Sequence, residues 1–402
     1  MKDKLKRELG LFDVTVAGVA VIIGAGVYAL IGVASGTAGN AVWLSFLISA
    51  IIAMFTGLSY AELSSMFKGD AGEFDYIKMP FGKMFAFFIA FTIILGTVIS
   101  SAAVALGFGG YFSKLFGVPV LSSALVLMML MTLLNYSGIK QTSIFNKLST
   151  TLEFIGLIII IVAGFFFSKP TNYFEMPFGF SGVMSSAALV FFAYLGFEGI
   201  VKLRDETKNP ERNIPLGMIL ALIISSVLYV LVSYSAVGVL GWQQLSSTQA
   251  PLAQVASLAF GNLGFLFLAV IALFSTSNTV LMTMVAASRQ LYGMAEEHSL
   301  PKFLSKVDKK TGTPLFAILL TGVVALVFGL MGDIEFVANL TNLFLFITFV
   351  AVNMSLIVLR YTKADMRRPF RCPVNIGKFN VVALFGVLSS LGMIWIVLTN
   401  LF

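Results

Sequence analysis

One cysteine, Cys372, and one histidine, His298, stand among 402 residues, and that scarcity excludes two architectures. A disulfide framework needs paired thiols, and a protein-built transition-metal centre needs several imidazole or thiolate donors. Charge is nearly as scarce, with Asp, Glu, Lys and Arg at 11% of the chain against 58% apolar residues. No hydrophilic block is long enough to form a water-soluble domain, so the chain reads as an integral membrane protein. What charge exists is lopsided, with 26 Lys and Arg against 19 Asp and Glu. Its distribution reports topology and gives no reason to invoke a nucleic-acid partner.

A helix crosses a bilayer with about 20 apolar residues, and about 11 windows of that length centre near Ala25, Met54, Thr97, Met128, Ile159, Ala193, Leu228, Thr279, Leu320, Phe346 and Leu388. Lys2, Lys4, Lys6 and Arg7 precede the first window as in a signal peptide, but its run of roughly 25 residues exceeds a signal h-region and reads as a retained span. With the N-terminus in the cytoplasm, every Lys and Arg except Lys114 and Lys169 falls at or near the cytoplasmic side, as the positive-inside rule requires. The odd span count leaves Phe402 outside. Between the seventh and eighth windows, Pro251 to Gly261 is too short to span and reads as an external helix lying on the bundle, with a plain surface loop as the alternative.

Glycine interrupts two of the windows. The first carries Ile22-Ile23-Gly24-Ala25-Gly26 and the sixth Phe192-Ala193-Tyr194-Leu195-Gly196. Unpaired backbone in hydrocarbon is tolerated only where it lines an enclosed or wet cavity, and interrupted helices in corresponding positions of two halves point to a transporter's binding site. A half-helix beginning at Gly24 would aim N–H groups at a carboxylate, with Gly24, Ala25 and Gly26 allowing close approach. Carbonyls freed at Phe192, Ala193 and Leu195 would accept from an ammonium, completing a clamp for a zwitterion. Phe191, Phe192, Tyr194 and Phe197 would wall the cavity. Taken alone, the Gly-Ala-Gly run fits small-residue helix packing equally well.

A carboxylate at mid-bilayer costs about 2.5 to 3.5 kcal/mol on insertion scales and is a functional candidate by default. Glu198, just past the second break, could meet a proton or a substrate amine; its structural alternative is a hydrogen bond tying the broken segment to a neighbouring helix. Glu153, in the fifth window, is a candidate proton carrier; its alternatives are a buried pair with Lys147 or a polar packing contact. Glu62 and Asp13 fall near cytoplasmic ends and read as interface residues. In the eighth window Ser275, Thr276 and Ser277, with Asn278, form a candidate alkali-cation site, with hydrogen bonding inside the membrane as the alternative. His298 follows in a loop and reads as incidental.

At these residues the chain resembles the amino acid-polyamine-organocation superfamily of permeases over nearly its whole length. Gly18 to Tyr28 is similar to that family's opening motif, and Leu58-Ser-Tyr-Ala-Glu-Leu63 with Gly72, Glu73 and Tyr76 to its segment after span two. Phe191 to Glu198, Glu206 to Pro210 and Arg212 to Pro215 resemble its span-six signature. Ala287 to Arg289 with Leu291 and Tyr292, and Arg368 to Arg371, add two matches in the right order. The resemblance implies an all-α, LeuT-type fold: a five-plus-five inverted repeat with discontinuous helices one and six, working by alternating access. On that pattern one transmembrane domain covers 1–402, with repeats over about 11–168 and 181–360 and an extra helix over about 378–402. It also implies substrate carboxylate contacts at Ala25 and Gly26 and amine contacts at Ile22, Phe192, Ala193 and Leu195. Two departures matter. Many relatives have twelve spans, which puts any dimer interface built from a twelfth in doubt, and some proton-coupled relatives carry a lysine where this chain has Glu153.

The expectation is a secondary active permease of the cytoplasmic membrane, moving a small neutral L-amino acid with a proton, or alternatively with sodium, and needing no cofactor. The rivals are an exchanger of cationic amino acids or polyamines, and an amino-acid sensor that does not transport. A channel lacks a polar stripe along any span, and an intramembrane enzyme lacks paired acid-base or metal-binding side chains.

Overall fold

The computed structural model describes residues 7–67, 72–296 and 298–401, without the side chains of 139–144 and 147. Lys2, Lys4, Lys6, Lys68 and Phe402, used above to assign sides, lie outside that set, as does the Lys147 side chain weighed as a partner for Glu153. The described chain is helical apart from one short hairpin. In order come α1 (Leu11–Ile22), α2 (Gly26–Ala38), α3 (Val42–Met66), α4 (Glu73–Phe81), α5 (Lys83–Phe116), α6 (Val120–Ser137) and α7 (Ile139–Phe167). There follow α8 (Gly179–Val190), two 3₁₀ segments (Phe191–Tyr194 and Phe197–Glu206), α9 (Pro210–Leu240), α10 (Trp242–Ser247) and α11 (Pro251–Glu296). The chain closes with α12 (Leu315–Gly329), α13 (Ile334–Thr362), the hairpin pairing Asn375–Ile376 with Phe379–Asn380, and α14 (Val381–Leu401).

Among the described residues, nine helical runs are long and apolar enough to cross a membrane, Gly26–Met66 counting as one of them, and α1 and α12 are shorter apolar helices. The fold is thus the all-helical, multi-pass architecture that apolar composition demands, since in lipid only a helix or a closed barrel pairs its own backbone. Residues Pro251 to Gly261 are helical and form the start of α11, set off from the rest by a kink where Gly261 adopts φ 71.

The packing brings the interrupted segments to the middle of the bundle. α1 lies along α9, α2 along α8, and α3 along both α8 and α9, while α11 packs on α5 and α7. Small residues permit these approaches: a Cβ on Gly18 would come within 2.8 Å of Ala221, and one on Gly217 within 2.6 Å of Val14.

Glu62 is not an interface residue. It is fully buried near the end of α3, where its carboxylate accepts from Arg360 Nε at 3.0 Å, from Arg360 Nη2 and from the Cys372 N–H at 2.7 Å. Arg368 Nε lies 3.3 Å away. A buried carboxylate must be paired and hydrogen-bonded to persist, and here two guanidiniums and an amide supply that, fastening α3 to the end of α13 and the segment before α14. Asp13 is exposed and accepts from the Gly10 N–H at 2.8 Å.

Breaking one side of a buried ion cluster costs about 3–5 kcal/mol, so Glu62→Gln is expected to lower the thermal unfolding midpoint of the detergent-solubilised protein. Burial pushes the Cys372 thiol up to about 12, which keeps it protonated and sluggish toward maleimide at pH 8 in the wild type. Labelling should accelerate in Glu62→Gln. Free-thiol rates in the wild type would contradict the burial, and an unchanged midpoint in the variant would contradict the fastening.

Candidate functional site

The first interruption is real and short. α1 ends at Ile22, Ile23 turns out of the helix (φ −72, ψ 94), and α2 starts at Gly26 with Ala25 as an N-cap that offers no side-chain oxygen. A helix start leaves its first amides without intrahelical acceptors, and here the regular ladder resumes only with Ala29 N–H on the Ala25 carbonyl at 2.8 Å. Side chains from two other helices attend to the loose groups. Thr279 Oγ1 of α11 accepts from the Ala25 N–H at 3.1 Å. The Tyr229 hydroxyl of α9 donates to the Ile22 carbonyl at 2.8 Å and sits against the Gly24 amide.

The second interruption is longer. α8 tightens into the 3₁₀ segment Phe191–Tyr194, Leu195 is extended (φ −60, ψ 147), and Gly196 adopts φ 108, a left-handed conformation that glycine takes without Cβ strain. A second 3₁₀ run of ten residues follows, whereas such runs rarely exceed three or four. Leu195 N–H reaches the Phe192 carbonyl at 3.4 Å, and Gly196 N–H donates to the Glu198 carboxylate at 3.0 Å. Glu198 therefore fastens the break, as its structural alternative foresaw, but to its own turn and not to a neighbouring helix.

The two interruptions meet. A Cβ on Gly26 would stand 2.6 Å from Ala193 Cα, and one on Gly196 would stand 2.9 Å from the Val21 carbonyl oxygen, so backbone touches backbone at both crossings. Exposure is one-sided. Ile22, Ala25, Gly26, Phe192 and Ala193 are buried, as is all of the chain from Val27 to Tyr28, whereas Val21 is exposed and Gly24, Leu195, Gly196, Glu198 and Thr279 are partly so. Of these junction residues the one fully exposed, Val21, belongs to α1.

Glu153 of α7 lies behind α2 and is 1% exposed. Its backbone carbonyl accepts from the Tyr28 hydroxyl at 2.8 Å, its carboxyl group lies beside Ser275 of α11, and its Oε1 has no hydrogen-bond partner among the described residues. Of the three hydroxyls weighed as a cation site, Thr276 is committed to its own helix through the Ala272 carbonyl at 2.7 Å. Ser277 is buried, and the buried Ser275 hydroxyl has no hydrogen-bond partner among the described residues. The aromatic residues of the second break divide similarly. Phe191 packs on Phe346 with centroids 4.7 Å apart, Phe197 packs on Tyr60 at 5.6 Å, and the Tyr194 hydroxyl donates to the Phe46 carbonyl at 2.9 Å.

Sequence reasoning missed Thr279, Tyr229 and Tyr28. The first carried a usable signal, because Thr279 stands one helical turn after Ser275 and so continues the same face. Tyr229 and Tyr28 had none beyond being hydroxyls inside apolar runs.

A family model described as amino acid permease matches residues 9–401. The chain is 31% identical to the branched-chain amino acid permease BcaP of Bacillus subtilis (strain 168), over 92% of this chain and 85% of that protein. It is 30% identical to the methylthioribose transporter of the same organism, over 92% and 84%. The vacuolar cationic amino acid transporter 4 of Arabidopsis thaliana is likewise 30% identical, over 90% of this chain and 64% of its own length. These relatives are named as permeases and transporters and not as enzymes.

Gly26→Ala drives a methyl group into the Ala193 backbone, an overpacking that costs about 1–3 kcal/mol and separates the two breaks. The expected result is a lower unfolding midpoint together with loss of any stabilisation by added amino acids, both read by thermal shift. Thr279→Val removes the oxygen facing Ala25 and should weaken that stabilisation, while Thr279→Ser retains it. Equal responses in the valine and serine variants would count against the contact.

Proposed function

The chain belongs to the amino acid permease family, and from that premise we propose that it is a secondary active amino-acid transporter of the cytoplasmic membrane that holds a zwitterion between its two helix breaks. The N-terminus is cytoplasmic and the C-terminus external, and the bundle is a five-plus-five inverted repeat with about 11 spans and α14 as the extra helix. The observation that carries the reading is the contact of Gly26 with Ala193, which brings the start of α2 against the 3₁₀ turn. Positive helix-start amides suit a carboxylate, and turn carbonyls suit an ammonium. Thr279 and Tyr229 fit the same logic. The first offers the Ala25 amide an oxygen, as a substrate carboxylate does, and the second offers the Ile22 carbonyl a hydrogen, as a substrate ammonium does.

Exposure on the α1 side alone corresponds to a pathway open toward the cytoplasm and closed by α2 and α8 outside. Alternating access then requires α1 and the long 3₁₀ run to close while α2 and α8 part. Glu153 is the coupling residue in this scheme. It borders the first break through Tyr28, carries no ion pair among the described residues, and has an oxygen free to hold a proton. Sodium has less support, since Thr276 already bonds its own helix.

The substrate is a small neutral L-amino acid. Ala25, Ala193 and Phe192 bring apolar side chains to the junction, and the carboxyl group nearest the second break, Glu198, is engaged by the Gly196 amide. A second reading, exchange of cationic amino acids or polyamines, is favoured if Glu198 leaves that amide for a substrate amine.

Counterflow in proteoliposomes separates the readings: labelled alanine or isoleucine should exchange while labelled lysine does not, and the reverse would establish the second. Glu153→Gln should abolish accumulation driven by a pH gradient yet leave counterflow intact. Gradient-driven accumulation at the wild-type level in that variant would remove Glu153 from coupling. If Glu198→Gln leaves the preference between neutral and cationic substrates unchanged, Glu198 has no part in selecting charge.

A further inference from the structure

At the α1 end of the molecule, away from the helix breaks, a cavity of about 740 Å³ is lined by Arg7, Arg204, Arg212, Asp205, Glu211 and Phe370, among others. The three arginines come from three chain segments: the residues before α1, the end of the second 3₁₀ run, and the first turn of α9. Arg204 is 5% exposed, and its Nη1 donates to the Ser64 carbonyl. The charge on Arg204 is opposed by Arg7 and favoured by Glu211 and Asp205. The wall carries two carboxylates, Asp205 and Glu211, against the three arginines, and Glu211 is shared with Arg367 at 3.3 Å. Like charges held around one concavity are stabilised when an anion enters, and the guanidinium fork matches the oxygens of a phosphate group in bidentate fashion. None of these groups takes part in the zwitterion site.

We propose that this cavity is a second, regulatory site that binds a phosphate mono- or diester, held by Arg7, Arg204 and Arg212. Its location gives it leverage. The backbone ahead of α1 is already laced to the end of the 3₁₀ run, with Glu8 and Leu9 N–H on the Glu206 carbonyl at 2.9 and 3.0 Å and Lys208 N–H on the Leu9 carbonyl at 2.8 Å. Phe370, on the opposite wall, is tied to α3 through Ser65, its N–H donating to the hydroxyl at 3.3 Å. A phosphate in the cavity therefore bridges the chain ahead of α1 to the segment that the Glu62 cluster fixes, and holds the α1 side of the junction in place.

The shared chemistry has two sources, the headgroup of an anionic phospholipid or a free phosphate, and the test separates them. The purified full chain is melted in detergent with increasing inorganic phosphate, and in nanodiscs of phosphatidylcholine with or without phosphatidylglycerol. A saturable rise of the unfolding midpoint with phosphate identifies a free anion, and a rise with phosphatidylglycerol alone identifies a lipid headgroup. In either case the half-saturating concentration should increase at least about tenfold in Arg7→Gln/Arg212→Gln, both exposed positions whose replacement leaves the core intact. Arg212→Gln alone should give an intermediate value, and Lys378→Gln, which is not part of the cavity wall, should match the wild type. The proposal is overturned if neither probe moves the wild-type midpoint, or if the double variant responds as the wild type does.

Discussion

A peptide group without a partner in hydrocarbon costs several kcal/mol, and the architecture of this protein is arranged around two places where the chain accepts that cost. At each, glycine lets the helix stop, and the released groups that have partners find them in hydroxyls of α9 and α11 or within their own turn. The contact at Gly26 and Ala193 is too close for any side chain on residue 26. Around it, hydroxyls from α9 and α11 take up two of the loose groups, and in the proposed reading the amides at the start of α2 and the carbonyls of the 3₁₀ turn supply the polarity that a zwitterion needs. Without the breaks the bundle would be a set of apolar helices offering nothing to a polar solute.

The same constraint accounts for the difference between the two halves of each broken helix. α2 has no exposed positions and α8 has them only in its first turn, Gly179 to Ser181, whereas α1 and the run from Phe197 to Glu206 carry exposed positions. A ten-residue 3₁₀ run with a left-handed glycine at its head is a weaker element than an α-helix, with poorer hydrogen-bond geometry. Segments that move in a functional cycle are drawn from the less stable parts of a fold. The Glu62 cluster supplies the opposite property: a buried carboxylate gripped by two arginines gives the α3–α13 side of the molecule a fixed reference.

Much of this was legible in the sequence because it is written locally. The apolar windows each fall on helix or on a helix break, and the glycines at 24, 26 and 196 marked the interruptions. Glu153 and Glu198 could be singled out because carboxylates are rare inside spans. What was not legible is pairing over distance. Thr279 meets Ala25 across 254 positions and Tyr229 meets Ile22 across 207, and neither partner's neighbours in sequence announce the contact. Glu62 was misjudged for the same reason: its place near a span end suggested the membrane surface, while Arg360, 298 positions away, makes it core. The aromatic residues at the second break were overcounted as cavity wall, because adjacency to a glycine does not fix the direction of a ring, and three of the four pack into the protein.

The account turns on bare peptide groups recognising both ends of one small dipole. Isothermal titration of the purified protein with a neutral amino acid, with its carboxamide and with its des-amino acid tests this directly, since each analogue removes one charge and keeps the side chain. Binding of the parent alone, with both analogues weakened at least about a hundredfold, or roughly 2.7 kcal/mol, is the predicted result. Comparable affinity for either analogue would contradict it.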